Sequence, residues 1–295
     1  MTMGIVKLRR LWYIISAVLV TGAIFVTAID GLNFGIDFTG GSLLSVRFEE
    51  RPTSVEIERA LDGVDVGSMI IQPVGKTDVN IRMKVLDETT HQSVVSKLDE
   101  QFEGVTELRF DAIGPAIGAE LRNKSLWALG VAFLAILAYI AYAFRRVSAP
   151  IKNWKYGVVT ILAAIHDVLI PIGVFSILGM TMGMEVDTTF VVAILTVLGY
   201  SINDTIVVLD RVRENLHKIS GSFEEIVNIS LKQTIVRSLN TSVTTLFALV
   251  AVYLFGGDSL QPFALALIIG IIAGTYSSIF IASPLLVTWE KLGRK

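Results

Sequence analysis

The sequence predicts an α-helical polytopic membrane protein, with six transmembrane helices and one extracytoplasmic α+β ferredoxin-like domain inserted between helices 1 and 2. Three observations carry this. Hydrophobic residues make up 53% of the chain and charged residues only 18%, with a mean hydropathy of +0.64, more apolar surface than a soluble domain of this size can hide. The charges cluster: residues 30–125 hold 17 Asp/Glu and 10 Lys/Arg, leaving 10 acids and 15 bases for the other 199 positions. Finally, six stretches reach the length of about 20 apolar residues that a helix needs to cross the hydrocarbon core.

In order, these stretches are Leu11–Ile29, Leu126–Phe144, Gly157–Leu178, Thr188–Leu209, a polar-started run near Ile235–Phe255, and Pro262–Trp289. The first run of 19 residues exceeds the core of a secretory signal, about 7–15 residues, so it reads as a retained span. The chain thus divides into 1–29 (N-terminus and helix 1), 30–125 (inserted domain with Gly-rich connections) and 126–295 (helices 2–6). Orientation follows from the bases in short flanks. Lys7, Arg9 and Arg10 precede span 1. Arg145, Arg146, Lys152 and Lys155 lie between spans 2 and 3, and Arg211, Arg213, Lys218, Lys232 and Arg237 between spans 4 and 5. Lys291, Arg294 and Lys295 follow span 6. The opposite loops, 179–187 and 256–261, carry Glu185, Asp187 and Asp258 but no Lys or Arg. Both termini are expected in the cytoplasm and the insert outside it.

Within the insert, Ser42–Phe48 alternates apolar and polar, as a strand does. Thr53 and Ser54 are cap candidates for a helix over Val55–Leu61. Ser68–Val74 and Asp78–Lys84 read as strands around a Gly75-Lys76-Thr77 turn. Glu88–Phe102 is a helix with Val94, Val95, Leu98 and Phe102 on one face, and Val105–Ala112 is the last strand. The order β-α-β-β-α-β is the ferredoxin-like arrangement, which hosts many functions and names none. Gly35, Asp37, Gly40 and Gly41 lead into the domain, and Gly114, Pro115 and Gly118 lead out of it. These read as turns or as hinges. No Gly-Lys-Ser/Thr follows Gly40-Gly41, so a phosphate loop is not indicated.

Ionisable residues inside spans are costly and mark ion pathways. Asp204 lies seven residues before Arg211, about 10 Å inside the end of span 4, with Asn203 beside it and Tyr200, Ser201 and Val208 on its face. Arg237 opens span 5, and Asn240, Thr241 and Thr244 continue one polar stripe. Such a stripe is expected to face the bundle interior or a water-filled cavity. Arg237 reads either as an interfacial cation or as the partner of Asp204; the stripe favours pairing. Asp167, next to His166, sits near the middle of span 3, either as a second proton carrier or a partner to Asp204, or as a buried acid that ties helices together by hydrogen bonds. Neighbours in sequence, His166 and Asp167 are expected on different helix faces. His91 and His217 have no metal-ligand neighbours at useful spacing and read as solvated. Gly270 and Gly274, with Ser277 and Ser278, allow close helix approach. There is no cysteine, which excludes disulfides and thiolate chemistry, and no basic stripe that indicates nucleic acid.

Several of these residues carry a resemblance. Gly199–Asn215 (Gly-Tyr-Ser-Ile-Asn-Asp-Thr-Ile-Val-Val-Leu-Asp-Arg-Val-Arg-Glu-Asn), Gly35–Gly41 (Gly-Ile-Asp-Phe-Thr-Gly-Gly), His166-Asp167 and Arg237-x-x-Asn-Thr-Ser resemble the SecF branch of the SecD/SecF family, within the resistance–nodulation–division superfamily. Leu209 and Val212 stand where that pattern has Phe and Ile. The resemblance implies a non-enzymatic subunit of the bacterial cytoplasmic (inner) membrane without a cofactor. Such a subunit pairs with SecD, works after the SecYEG channel and the SecA motor, and uses the proton-motive force to help preproteins through late export. It also implies that Asp204 and Arg237 are proton-pathway residues. A proton-coupled half-transporter of a small molecule or lipid, and a non-transporting assembly scaffold, are the alternatives.

Overall fold

The structure, a computed structural model, describes residues 4–143, 153–257 and 259–292. Arg145, Arg146, Lys152, Asp258, Arg294 and Lys295 lie outside the described residues. The chain forms two compact units, Phe34–Trp127 and the remainder (Met1–Asn33 with Ala128–Lys295).

Helix α1 (Arg9–Asp30) precedes the first unit, which follows the strand–helix alternation. A short helix α2 (Ile36–Thr39) leads into β1 (Gly41–Arg47), then α3 (Ser54–Ala60), β2 (Ile70–Val74), β3 (Asp78–Met83), α4 (Glu88–Gln101) and β4 (Thr106–Ile113). The sheet order is β2-β3-β1-β4 with every neighbour antiparallel. β1 is central because its side chains Leu44 and Val46 are fully buried, and Leu44 stands opposite Ile81 of β3 and Phe110 of β4. Ile57 and Leu61 from the α3 segment and Val94 and Leu98 of α4 complete this core. Each of these two helices is started by a side chain. Thr53 forms a reciprocal capping box with Glu56, and the Asp87 carboxylate accepts from the Thr90 amide at 2.8 Å, satisfying N–H groups that a helix N-terminus leaves free.

His91 corrects the reading of a solvated side chain. It is buried, stacks on Phe110 at 3.7 Å, and holds Nε2 3.2 Å from a Glu107 oxygen. Across β1 and β3, Arg47 donates to both Asp78 oxygens at 2.7 Å. That guanidinium, with the Thr77 hydroxyl, holds the Asp78 carboxyl below the ordinary carboxylate range against the opposing effect of burial.

The second unit is helical. After a 3₁₀ turn at Ile5–Leu8 come α1, α5 (Pro115–Ala143, its first part in the other unit), α6 (Asn153–Met182), α7 (Thr188–Lys218), α8 (Phe223–Phe255) and α9 (Gln261–Ser277). A π-helical turn (Ser278–Ala282) joins α9 to α10 (Ser283–Leu292). Among the described residues, six of these helical stretches, with α9 through α10 counted as one, are long and apolar enough to cross a membrane. α8 starts at Phe223, well before the expected Ile235. Ser222 and Glu225 make a capping box there, and Phe223, Ile226, Val227 and Leu231 bury one face of an amphipathic first section. α6, α7 and α9 form the buried centre of the unit, while α1, α5 and α8 expose most of their apolar length.

Close approach of α7 and α9 rests on two glycines. A Cβ on Gly270 would stand 2.7 Å from Val197 Cγ1 and closer still to Cγ2, and one on Gly274 would stand 2.8 Å from Ser201 Cβ. Without a hydrophobic drive between helices in lipid, such van der Waals contact is a main source of association.

Candidate intramembrane polar site

α7 is fixed at its start by Asp187, whose carboxylate accepts from the Phe190 amide at 2.9 Å. From there the 3.6-residue repeat carries Val197, Ser201, Asp204, Thr205 and Val208 to the inward face, all of them buried. Asn203 lies on the exposed side. Asp204 is buried, and its Oδ2 has no hydrogen-bond partner among the described residues. Ser238 and Arg237 of α8 are its neighbours across the helix pair, but neither Asp204 Oδ2 nor the Ser238 hydroxyl has a hydrogen-bond partner among the described residues. The pairing expected from sequence is not made in this conformation.

α8 also turns differently from the expectation. Arg237, Asn240, Thr241 and Thr244 lie on its exposed face, not toward the interior of this chain. Thr241 and Thr244 satisfy their hydroxyls on the Arg237 and Asn240 carbonyls, at 2.8 and 2.9 Å. The inward positions are Thr234, Ser238 and Ser242. Ser242 shares a 2.6 Å hydrogen bond with Thr275 of α9, which fixes the rotation of α8. The rotation leaves an arginine-led polar stripe on the outside of a membrane helix.

A second buried polar group forms around Asp167 of α6. Its Oδ2 accepts from Ser277 of α9 at 2.6 Å and from Ser201 of α7. His166 does not point away: its Nδ1 lies 2.9 Å from Asp167 Oδ1. Adjacent helix positions diverge by about 100° at the Cα, yet the two side chains meet, and the same carboxylate is also held by Ser201 and Ser277. Tyr276 stacks on His166 at 6.0 Å, accepts from Ser16 of α1 and donates to the Trp12 carbonyl. Helices α1, α6, α7 and α9 are thus joined by buried and half-buried polar side chains. Ser277 and Tyr276 were the residues that sequence reasoning gave no chemical role. Their signal was the small-residue spacing that runs from Gly270 through Gly274.

The glycine-rich connections are ordered within the sheet unit. Gly40 has φ +72°, and a Cβ on Gly118 would stand 2.9 Å from the Gly40 amide nitrogen, so the two backbones touch. Gly35 precedes α2, Asp37 lies in its first turn, and Pro115 opens α5, where its missing N–H costs nothing. Among the described residues, no three His, Asp or Glu side chains gather as metal ligands would.

Residues 93–292 match the family described as "Protein export membrane protein SecD/SecF, C-terminal", and residues 25–50 match the "SecD/SecF GG Motif". A protein translocase subunit SecF from Thermobaculum terrenum is 44% identical over 97% of this chain and 93% of its own length. One from Anaerolinea thermophila is 40% identical over 98% and 94%. A crystal structure of SecDF, a translocon-associated membrane protein from Thermus, superimposes with a TM-score of 0.86 at 35% identity over 97% of this chain. This chain spans 38% of the length of that SecDF chain.

Proposed function

The chain belongs to the SecD/SecF family of protein-export membrane proteins, and on that premise we propose that it is the SecF-type accessory subunit of a Sec preprotein translocase, driven by protons through Asp204. The reading is carried by one observation: a buried carboxyl on α7, its Oδ2 without a partner, lies beside an arginine-led polar stripe that this chain leaves uncovered. Taking a lone carboxylate out of water costs several kcal/mol, so this conformation suits the neutral, protonated carboxyl. Ionised, Asp204 needs a cation, and Arg237 on the adjoining turn of α8 is placed to supply it. The two protonation states therefore favour different settings of α7 against α8, a bistable element of the kind that drives a remote domain. Moving one charge through the membrane field releases about 2.3 kcal/mol per 100 mV.

The uncovered stripe calls for a polar partner within the bilayer. A related SecD-type chain fits, since the Thermus SecDF chain contains this fold as part of a longer polypeptide. Both termini lie in the cytoplasm in this proposal. The sheet domain outside moves on its connections at Gly35, Asp37, Gly40, Gly41, Gly114, Pro115 and Gly118, and acts on the preprotein delivered by SecYEG and SecA.

The test is late-stage secretion of a reporter preprotein from inverted vesicles, with and without a proton gradient. Wild type is compared with Asp204→Asn and Arg237→Ala, after normal accumulation and partner binding are shown. Loss of only the gradient-driven part is expected. Unchanged secretion with an intact complex would make Asp204 a structural acid and the chain an assembly scaffold.

A further inference from the structure

Two titratable side chains of α6, His166 and Asp167, take no part in the pathway proposed above, and both are sealed from solvent, at 5% and 0% exposure. Their protons can be counted. Asp167 Oδ2 lies within hydrogen-bond reach of two hydroxyls, Ser201 and Ser277, both of which can donate to it when it is ionised. The 2.9 Å contact between Asp167 Oδ1 and His166 Nδ1 holds one shared proton. The remaining ring nitrogen, Nε2, is buried without a hydrogen-bond partner among the described residues.

With a proton on Nε2 the pair is neutral as a whole, either as imidazolium and carboxylate or as imidazole and carboxylic acid. Without it the pair is a carboxylate against an uncharged ring, with a net charge of −1. Among the described residues, the helices packed on α6 bring no Lys or Arg to that level. α1 offers Ser16 and Tyr13, α7 offers Ser201 and Asp204, and α9 offers Tyr276 and Ser277. Glu290 of α10 lies a further two turns or more along. The bases of these helices, Arg9, Arg10, Arg211, Arg213 and Lys291, stand near their ends. An uncompensated buried charge is expensive, so the unshared proton on Nε2 leaves only together with a compensating change in a neighbouring group.

We infer that His166 and Asp167 form a second reversible proton-binding site within the membrane bundle, loaded and unloaded at His166 Nε2. Its use in export rests on the proton-driven reading of Asp204, but its existence does not. Electroneutrality links the two sites: a proton leaving Nε2 leaves a negative charge behind, and among the surrounding groups Asp204, in its ionised state, is the carboxyl that can take that proton up, directly or through water. A mechanical link runs in parallel. Ser201, which holds Asp167, is one turn from Asp204 on the same inward face of α7. Ser277, the other donor, adjoins the π-helical turn of the last span, a local irregularity of a type found at functional sites.

The experiment is a nitrogen-15 histidine NMR titration of the full chain with its partner in lipid bilayers, from about pH 5 to pH 9, where histidine changes charge. The chain has three histidines; His91→Gln and His217→Gln assign the signals. The expected result is a reversible step at His166 Nε2 in wild type and its loss in Asp167→Asn. That variant removes the charge the second proton balances, yet keeps an oxygen to accept from Ser201 and Ser277. A constant His166 tautomer across the range overturns the inference, as does a step that survives unchanged in Asp167→Asn. In the secretion assay, His166→Asn is expected to lose the gradient-driven part alone. An equal loss with and without the gradient marks a packing defect and overturns the export role. If Asp204→Asn removes gradient-driven secretion while His166→Asn leaves it intact, the second site's role in export fails and the proton-driven reading stands. If Asp204→Asn also has no effect, that reading fails, and the titration still decides whether the second site exists.

Discussion

Gly270 offers a direct measurement of how the centre of the bundle is held. In Gly270→Ala the new Cβ would lie 2.7 Å from Val197 Cγ1 and 3.0 Å from its Cβ, with Cγ2 nearer than either, against about 3.5–4.0 Å for relaxed carbon contacts. Rotating the valine cannot clear all three atoms, because its Cβ is fixed to a buried backbone. α9 must therefore move off α7, and overpacking of this type costs about 2–3 kcal/mol. Val197→Ala alone removes two methyls of a fully buried side chain, worth about 2 kcal/mol with the cavity they leave. In the double variant the alanine of one helix fits the space vacated on the other. Only the 3.0 Å Cβ contact is left to relax by a small shift. The double variant should then lose about 1–2 kcal/mol in place of the additive sum of about 4–5, a coupling at the upper end of what touching residues show. The assay is reversible unfolding of the full chain in mixed micelles, for all four members of the cycle. Additivity within about 0.5 kcal/mol would refute the view that these two positions set the α7–α9 separation.

Two further outcomes test other parts of the structure. Arg47 is the main reason Asp78 has a low pKa, and a depressed carboxylate contributes stability above its unfolded value near ~3.9, lost as pH falls through the lower folded value. Arg47→Gln should therefore begin to lose the sheet domain at a higher pH on acid titration followed by circular dichroism. At neutral pH it should cost less than about 1 kcal/mol, because the guanidinium is half exposed; coincident acid curves would refute the pairing. Ser222→Ala should destabilise the start of α8 by about 1 kcal/mol, and Ser222→Gly by only ~0.3 kcal/mol, read as faster amide exchange over residues 223–230; equal protection in all three proteins would show that packing alone sets this end.

The six spans and the β-α-β-β-α-β order were legible because each depends on local pattern. Hydropathy over about twenty residues reports whether a helix can replace water with lipid. The alternation in 42–48 and the cap at Thr53 report hydrogen-bonding needs that neighbours in sequence satisfy. The early start of α8 was less visible, since 223–234 is amphipathic, and only the Ser222–Glu225 box marked it. Periodicity also placed Arg237, Asn240, Thr241 and Thr244 on one face, but not which way that face turns. The Ser242–Thr275 bond and the buried Ser238 decide that, and they belong to helix packing. The same holds for His166, His91 and Asp204. Whether a buried imidazole meets a carboxylate, whether a ring stacks on Phe110, and whether an aspartate finds its arginine depend on side chains brought from distant segments. Sequence therefore determined which residues had to leave water and which shared a face. Tertiary structure alone decided which polar groups met once they had left it, because hydrogen bonds act over about 3 Å and that distance is set by the packing of whole helices.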